Sequence, residues 1–79
     1  AEEAFKVIYN PMHDLLKVSN ARGVNMAEIY NINGTLLKRM NVNNQESIDI
    51  TLQDLPEGLF MIKLNTKSGP VQVDKFLKM

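Results

Sequence analysis

Ser47-Ile48-Asp49-Ile50-Thr51-Leu52-Gln53 alternates apolar and polar side chains without a break. Successive side chains of a strand point to opposite faces. This period of two therefore turns Ile48, Ile50 and Leu52 toward a core and leaves Ser47, Asp49, Thr51 and Gln53 in water. Phe60, Ile62 and Leu64 repeat the pattern downstream, with Met61, Lys63 and Asn65 on the other face. Upstream, Leu16 and Val18 flank Lys17, and Phe5, Val7 and Tyr9 alternate with Lys6 and Ile8. Val71 and Val73 start a last run opposite Gln72 and Asp74. No stretch carries a helical stripe of useful length.

Turn residues separate these runs. Asn10-Pro11 ends the first, Asn20-Ala21-Arg22-Gly23 the second, and Asn41 to Gln45 is a polar loop. Pro56-Glu57-Gly58 leads into a strand, and Ser68-Gly69-Pro70 closes a hairpin. Asn33-Gly34 between two apolar runs predicts a two-residue type I′ hairpin, whose central residues both need positive φ. The expected fold is all-β: an antiparallel sandwich of about seven short strands. Ile48, Ile50, Phe60, Ile62 and Leu64 should be buried in it.

A chain of 79 residues holds one small domain with a thin core. Nine basic side chains balance nine acidic ones, which argues against nucleic acid as a partner. Without cysteine there is neither a disulfide framework nor a thiolate metal site. The start, Ala1-Glu2-Glu3-Ala4-Phe5, is acidic and unlike a signal peptide, and no segment is long and apolar enough to be a transmembrane helix. Lacking an initiator Met, the chain reads as a single domain, residues 1–79 with a core of about 5–79, excised from a larger secreted protein.

Candidate chemistry is sparse. His13 is the one histidine, and a metal site needs three or four convergent ligands, so a turn residue before Asp14 is the simpler assignment. Asp49, Asp54, Glu57 and Asp74 could in principle form an acid–base pair, but Asp49 faces solvent by its alternation and Asp54 and Glu57 bracket a turn. Ser19, Ser47 and Ser68 sit in no nucleophile elbow. Gly34, Gly58 and Gly69 are isolated turn glycines, not a phosphate loop. Asn33-Gly34-Thr35 matches a glycosylation sequon, but the hairpin accounts for Asn-Gly by itself. Tyr9, Tyr30 and Phe60 could line a sugar platform, although with no Trp they suit a core better. Met26 is assigned to the core, and Met61 could serve core or surface. No catalytic, cofactor-binding or metal residue is assigned, and no cofactor is expected.

One asymmetry remains. From Leu59 onward Lys63, Lys67, Lys75 and Lys78 face only Asp74. Lysines protect a sheet edge from pairing, and they also suit docking to an acidic partner. Exposed strand edges, with a hinge at Ser68-Gly69-Pro70, carry the further expectation of a homodimer by strand exchange.

Four stretches, in order, resemble one family. Tyr9-Asn10-Pro11 followed by Asp14-Leu15-Leu16-Lys17-Val18 is similar to its opening Tyr-Pro-Asn-Pro and Asp-x-Leu-x-Val, with the first proline absent. Ala27-Glu28-Ile29-Tyr30-Asn31-Ile32-Asn33-Gly34 is similar to its Val-x-Ile-Tyr-Asp-x-x-Gly, and Leu55-Pro56-Glu57-Gly58-Leu59-Phe60-Met61-Ile62-Lys63-Leu64 to its Leu-x-x-Gly-x-Tyr-x-Val-x-Ile. The ending Lys75-Phe76-Leu77-Lys78 matches its lysine-bearing last strand, with Met79 where members often finish on a basic residue. From about Tyr9 to Met79 the chain thus resembles the C-terminal sorting domain of type IX secretion cargo, type A-like.

That resemblance implies an immunoglobulin-like sandwich and a non-enzymatic secretion signal. The signal would direct a cargo through the type IX translocon across the outer membrane of a Gram-negative cell. The implied partners are translocon and shuttle components, and a cell-surface sortase that takes the protein as cleavage substrate. The route runs through the periplasm to the outer membrane, the cell surface or the medium. Tyr9, Pro11, Tyr30, Gly34, Leu55, Gly58 and Phe60 are the matching structural positions. Recognition by the translocon is expected on the last strand, Val71 to Met79, at Lys75, Phe76, Leu77, Lys78 and Met79. Phe76 or Leu77 should pack inward, and both lysines should be exposed. The alternative is an adhesin-like or carbohydrate-binding sandwich module that meets its ligand through loops. An enzyme is a third class, for which no catalytic constellation is present.

Overall fold

A computed structural model describes residues 5–43 and 45–79, with the backbone alone at position 71. The expectations for Ala1–Ala4, for Asn44 in the polar loop and for the Val71 side chain lie outside the described residues. Seven strands follow one another: β1 Lys6–Asn10, β2 Leu15–Ser19, β3 Met26–Asn31, β4 Leu36–Asn41, β5 Ser47–Thr51, β6 Gly58–Thr66 and β7 Gly69–Lys78. They form two sheets, β1-β2-β5 and β4-β3-β6-β7, antiparallel throughout. This is the immunoglobulin-like arrangement of the expectation, with β4 beside β3 in the larger sheet.

The alternation read from the sequence sets the core. Leu16 pairs with Ile50 and Val18 with Ile48 in one sheet; Ala27 pairs with Leu64 and Ile29 with Ile62 in the other. All eight are buried, as are Phe60 and Phe76. Burying such a side chain stabilises the fold by roughly 1.5–3 kcal/mol relative to exposure. Loop residues Ala21, Val24, Val42 and Leu52 are buried too. Their backbones must then be satisfied inside the protein. The Ala21 amide donates to the Glu46 carbonyl, Val42 to Asn25, and Leu52 to Asp14, all within 2.9 Å. Between the sheets, Gln72 reaches from β7 to the Phe5 carbonyl on one side. On the other, the Lys38 ammonium spans from β4 to the Thr51 carbonyl and Asp54.

Three expectations are corrected. The Asn33–Gly34 turn is not type I′: Gly34 has φ +87° but Asn33 is not in the positive-φ region. The Gly34 amide donates to the Asn31 carbonyl and the Asn31 amide to Thr35, giving a three-residue loop closed by a left-handed glycine. The reason is Asn31, whose Oδ1 accepts from the Asn33 and Thr35 amides and so fixes the turn one residue early. Thr66-Lys67-Ser68-Gly69 repeats this chemistry: Thr66 Oγ1 accepts from the Ser68 amide, and Gly69 has φ +114°.

The phase of β7 is also reversed at Val73, which is exposed while Gln72 and Asp74 are half-buried. Leu64 pairs with Gln72 but Asn65 with Pro70, so position 71 has no partner on β6. One extra residue in a strand exchanges its faces. Met26, finally, is only half-buried and shares the outer face with Glu28 and Tyr30, because Ala27 and Ile29 occupy the inner one.

Candidate recognition strand and its anchoring corner

β7 is an edge strand of the four-stranded sheet. After the bulge its side chains divide by parity. Phe76 and Lys78 point inward and are buried, while Val73, Lys75 and Leu77 point outward, followed by exposed Met79. The expectation that Phe76 or Leu77 packs inward is met by Phe76, which stacks on its partner Phe60 at 5.8 Å. The expectation of an exposed Lys78 is corrected: its exposure is 8%. Its hydrocarbon stem lies on the inward side, and the ammonium extends to the rim, 3.7 Å from Asp14.

The opening motif builds that rim. Asn10 Oδ1 accepts from the Met12 amide, tightening the turn through Pro11. Asp14, at φ +49°, brings the chain back into β2. The Tyr9 hydroxyl then lies 3.2 Å from the Asp14 carboxylate and 3.4 Å from the Met79 carbonyl. Its one proton bonds one of them at a time. The Tyr9 ring rests 6.4 Å from Phe76. Burial, and then the hydrogen bond to Asp14, raise the Tyr9 pKa above its ordinary 10.0. Gly58, which starts β6 at φ +148°, pairs with Lys78 beside this corner. The first and last motifs thus meet in one place: Tyr9 and Asp14 hold the end of β7.

The other motif positions are scaffold. Leu55 packs against the core and donates its amide to Leu52. Pro11 and Gly34 shape exposed turns. Tyr30 stands on the outer sheet face under the Lys63 ammonium, 5.4 Å from its ring centroid.

Beside it lies Glu28, a buried carboxylate that the sequence pattern places on the solvent side. Arg39 grips Oε2 with Nε at 3.1 Å and Nη2 at 3.0 Å, Asn65 donates to Oε1 at 3.1 Å, and Lys63 lies 3.8 Å from Oε1. Burial alone would raise the Glu28 pKa, but the hydrogen bonds from Asn65, Arg39 and Tyr30 and the Lys63 charge outweigh it and hold it below 4.5. Glu28 opposite Arg39 and Lys63 is visible only once the registers of β3 with β4 and β6 are known. The same holds for Asp14 with Lys78.

The carboxylates and histidine weighed for chemistry stay apart. His13, Asp49, Asp54 and Glu57 are exposed, and Asp74 bonds Gln72. Among the described residues no three His, Cys, Asp or Glu side chains converge as metal ligands, and no helix is long and apolar enough to cross a membrane.

A search of curated proteins finds no match to this sequence. The family model for the secretion system C-terminal sorting domain matches residues 6–79, from the first residue of β1 through all seven strands to Met79. With nearly its whole length inside that match, the chain belongs to the family of C-terminal sorting domains that serve as signals for type IX secretion.

Proposed function

We propose that the type IX machinery reads this sorting domain on β7, and that the inward half of the strand is its anchor. The observation that carries this reading is the parity of the strand: Lys75, Leu77 and Met79 are exposed, whereas Phe76 and Lys78 are buried. An edge strand has backbone groups available to a partner, and its outward side chains supply selectivity. Of the five residues expected to take part in recognition, Lys75, Leu77 and Met79 would touch the partner. Phe76 and Lys78 would hold them in place through Phe60 and Asp14.

Translocon and shuttle components are the readers in this proposal, and the cell-surface sortase cleaves on the cargo side of the domain. The cargo passes the periplasm before reaching the outer membrane, the cell surface or the medium. The domain itself acts without catalysis, as a single unit of residues 1–79 behind a larger secreted protein. The adhesin or carbohydrate-binding alternative has less support. Phe60 is buried, Tyr9 lies on the inner side and Tyr30 on the outer face, so the three rings make no common platform.

The test is a periplasmic reporter carrying this domain at its C-terminal end, in a host with type IX secretion. Export of the reporter should require the domain and should fall on deletion of Phe76–Met79 and with Lys75→Glu. Equal export of all these fusions would refute the assignment to β7.

A further inference from the structure

We propose that the outer face of the four-stranded sheet, and not β7 alone, docks an acidic and partly apolar protein surface of the secretion machinery; this rests on the reading of β7 above. The two outer faces of the sandwich differ. On the three-stranded sheet the exposed positions are Lys6, Ile8, Asn10, Lys17, Ser47, Asp49 and Thr51, beside half-buried Leu15 and Ser19, a mostly polar surface with Ile8 as its one exposed apolar side chain. The four-stranded sheet instead exposes Val73 and Leu77 at 56% each, Leu59 at 44% and Leu36 at 39%, around half-buried Met61 and Tyr30.

Register makes these neighbours. Leu59 pairs with Leu77, and one row across the sheet runs Leu36, Tyr30, Met61, Lys75. The adjacent row runs Arg39, Glu28, Lys63, Val73. Contiguous apolar surface rimmed by polar groups marks an interaction site.

Charge selects the occupant. Arg39, Lys63 and Lys75 are the cations of this face, and its one carboxylate, Glu28, is buried and already held by Arg39, Asn65 and Lys63. Among the described residues Lys75 has no carboxylate partner. A face with excess positive charge on a neutral chain favours an acidic partner and opposes a second copy of itself. The face carries one ring, Tyr30, half-buried beneath Lys63. It thus lacks the protruding aromatics with which interfacial elements enter a lipid surface.

The experiment uses the reporter fusion and places its apolar lesions off β7, with Lys75 as the separate test of charge. Leu36→Ser with Leu59→Ser should lower export about tenfold while the purified domain keeps its unfolding midpoint, as losing a contact pair at an interface would do. Lys75→Glu should lose export and Lys75→Arg retain it. Ile8→Ser with Lys17→Gln, on the opposite face, should export normally. If the domain exports its reporter and only β7 lesions matter, the sheet-face proposal is wrong and the β7 reading stands. If the domain exports nothing, the β7 reading itself fails. Lys75→Glu exporting like Lys75→Arg removes the acidic partner. Two further results would overturn it: Leu59-dependent binding to phosphatidylglycerol vesicles, which assigns the face to lipid, and Leu59-dependent dimers in sedimentation, which assign it to a second copy.

Discussion

Lys78 and Asp14 come from the two ends of the described chain, and their charged groups stand 3.7 Å apart at the corner where β7 ends. Tyr9 closes the same corner by reaching both Asp14 and the Met79 carbonyl. The opening and closing motifs are therefore one structural unit, and the lysines of the last strand have different tasks.

Those tasks separate by mutation. Lys78→Glu sets a carboxylate against Asp14 at a part-buried corner and should cost about 1–3 kcal/mol, between an exposed and a buried pair. Lys75→Glu alters an exposed side chain and should stay within about 0.5 kcal/mol of the parent. Urea denaturation of the two single variants decides it. Equal midpoints would place both lysines in the same environment.

The aromatic pair should dominate the stability of β7. Phe76→Ala and Phe60→Ala each remove half of a stacked pair in the core and should cost roughly 3–5 kcal/mol. Leu77→Ala, on the outer face, should cost less than about 1 kcal/mol. A small loss at Phe76 in denaturant melts would mean that β7 is not anchored by its inward ring.

The strands were legible because period-two patterning depends only on local alternation. Ile48, Ile50, Phe60, Ile62 and Leu64 are buried as that alternation requires. The pattern failed where a residue was added or a partner lay far along the chain. The bulge at position 71 exchanged the faces of β7, so Val73 points out and Lys78 in, and nothing local to Gly69–Lys78 announces it. Glu28 reads as solvated from its neighbours and is buried because Arg39, Lys63 and Asn65 arrive from two other strands. Asn33-Gly34 announced a turn correctly, but the competing acceptor on Asn31 chose its type.

The β3–β4 turn makes a backbone prediction. Gly34 has φ +87° and open space where a Cβ would go, so Gly34→Val meets strain and no clash. It should cost about 1–2 kcal/mol, the penalty of left-handed backbone for a residue with a Cβ. Asn31→Ala removes the acceptor for two amides and should cost about 1 kcal/mol. Thermal melts that leave both variants at the parent midpoint would show the hairpin to be set elsewhere.

Acid should weaken the domain partly through Glu28. Its carboxyl is held below the usual 4.5, so the unfolded chain takes up that proton at a higher pH than the folded one. The stabilisation is complete above the unfolded value and is lost as pH falls through the folded value. Asp54, lowered chiefly by the hydrogen bond from Lys38, acts in the same direction from its ordinary 3.8, but on an exposed side chain. Glu28→Gln should therefore lower stability at neutral pH, by about 1–3 kcal/mol for a buried charge-assisted group. It should also flatten the decline between about pH 5 and pH 3. Urea midpoints measured across that range for the parent, Glu28→Gln and Asp54→Asn separate the two carboxylates. If the Glu28→Gln profile falls as steeply as the parent's, the carboxylate is not held by Arg39, Asn65 and Lys63 in solution.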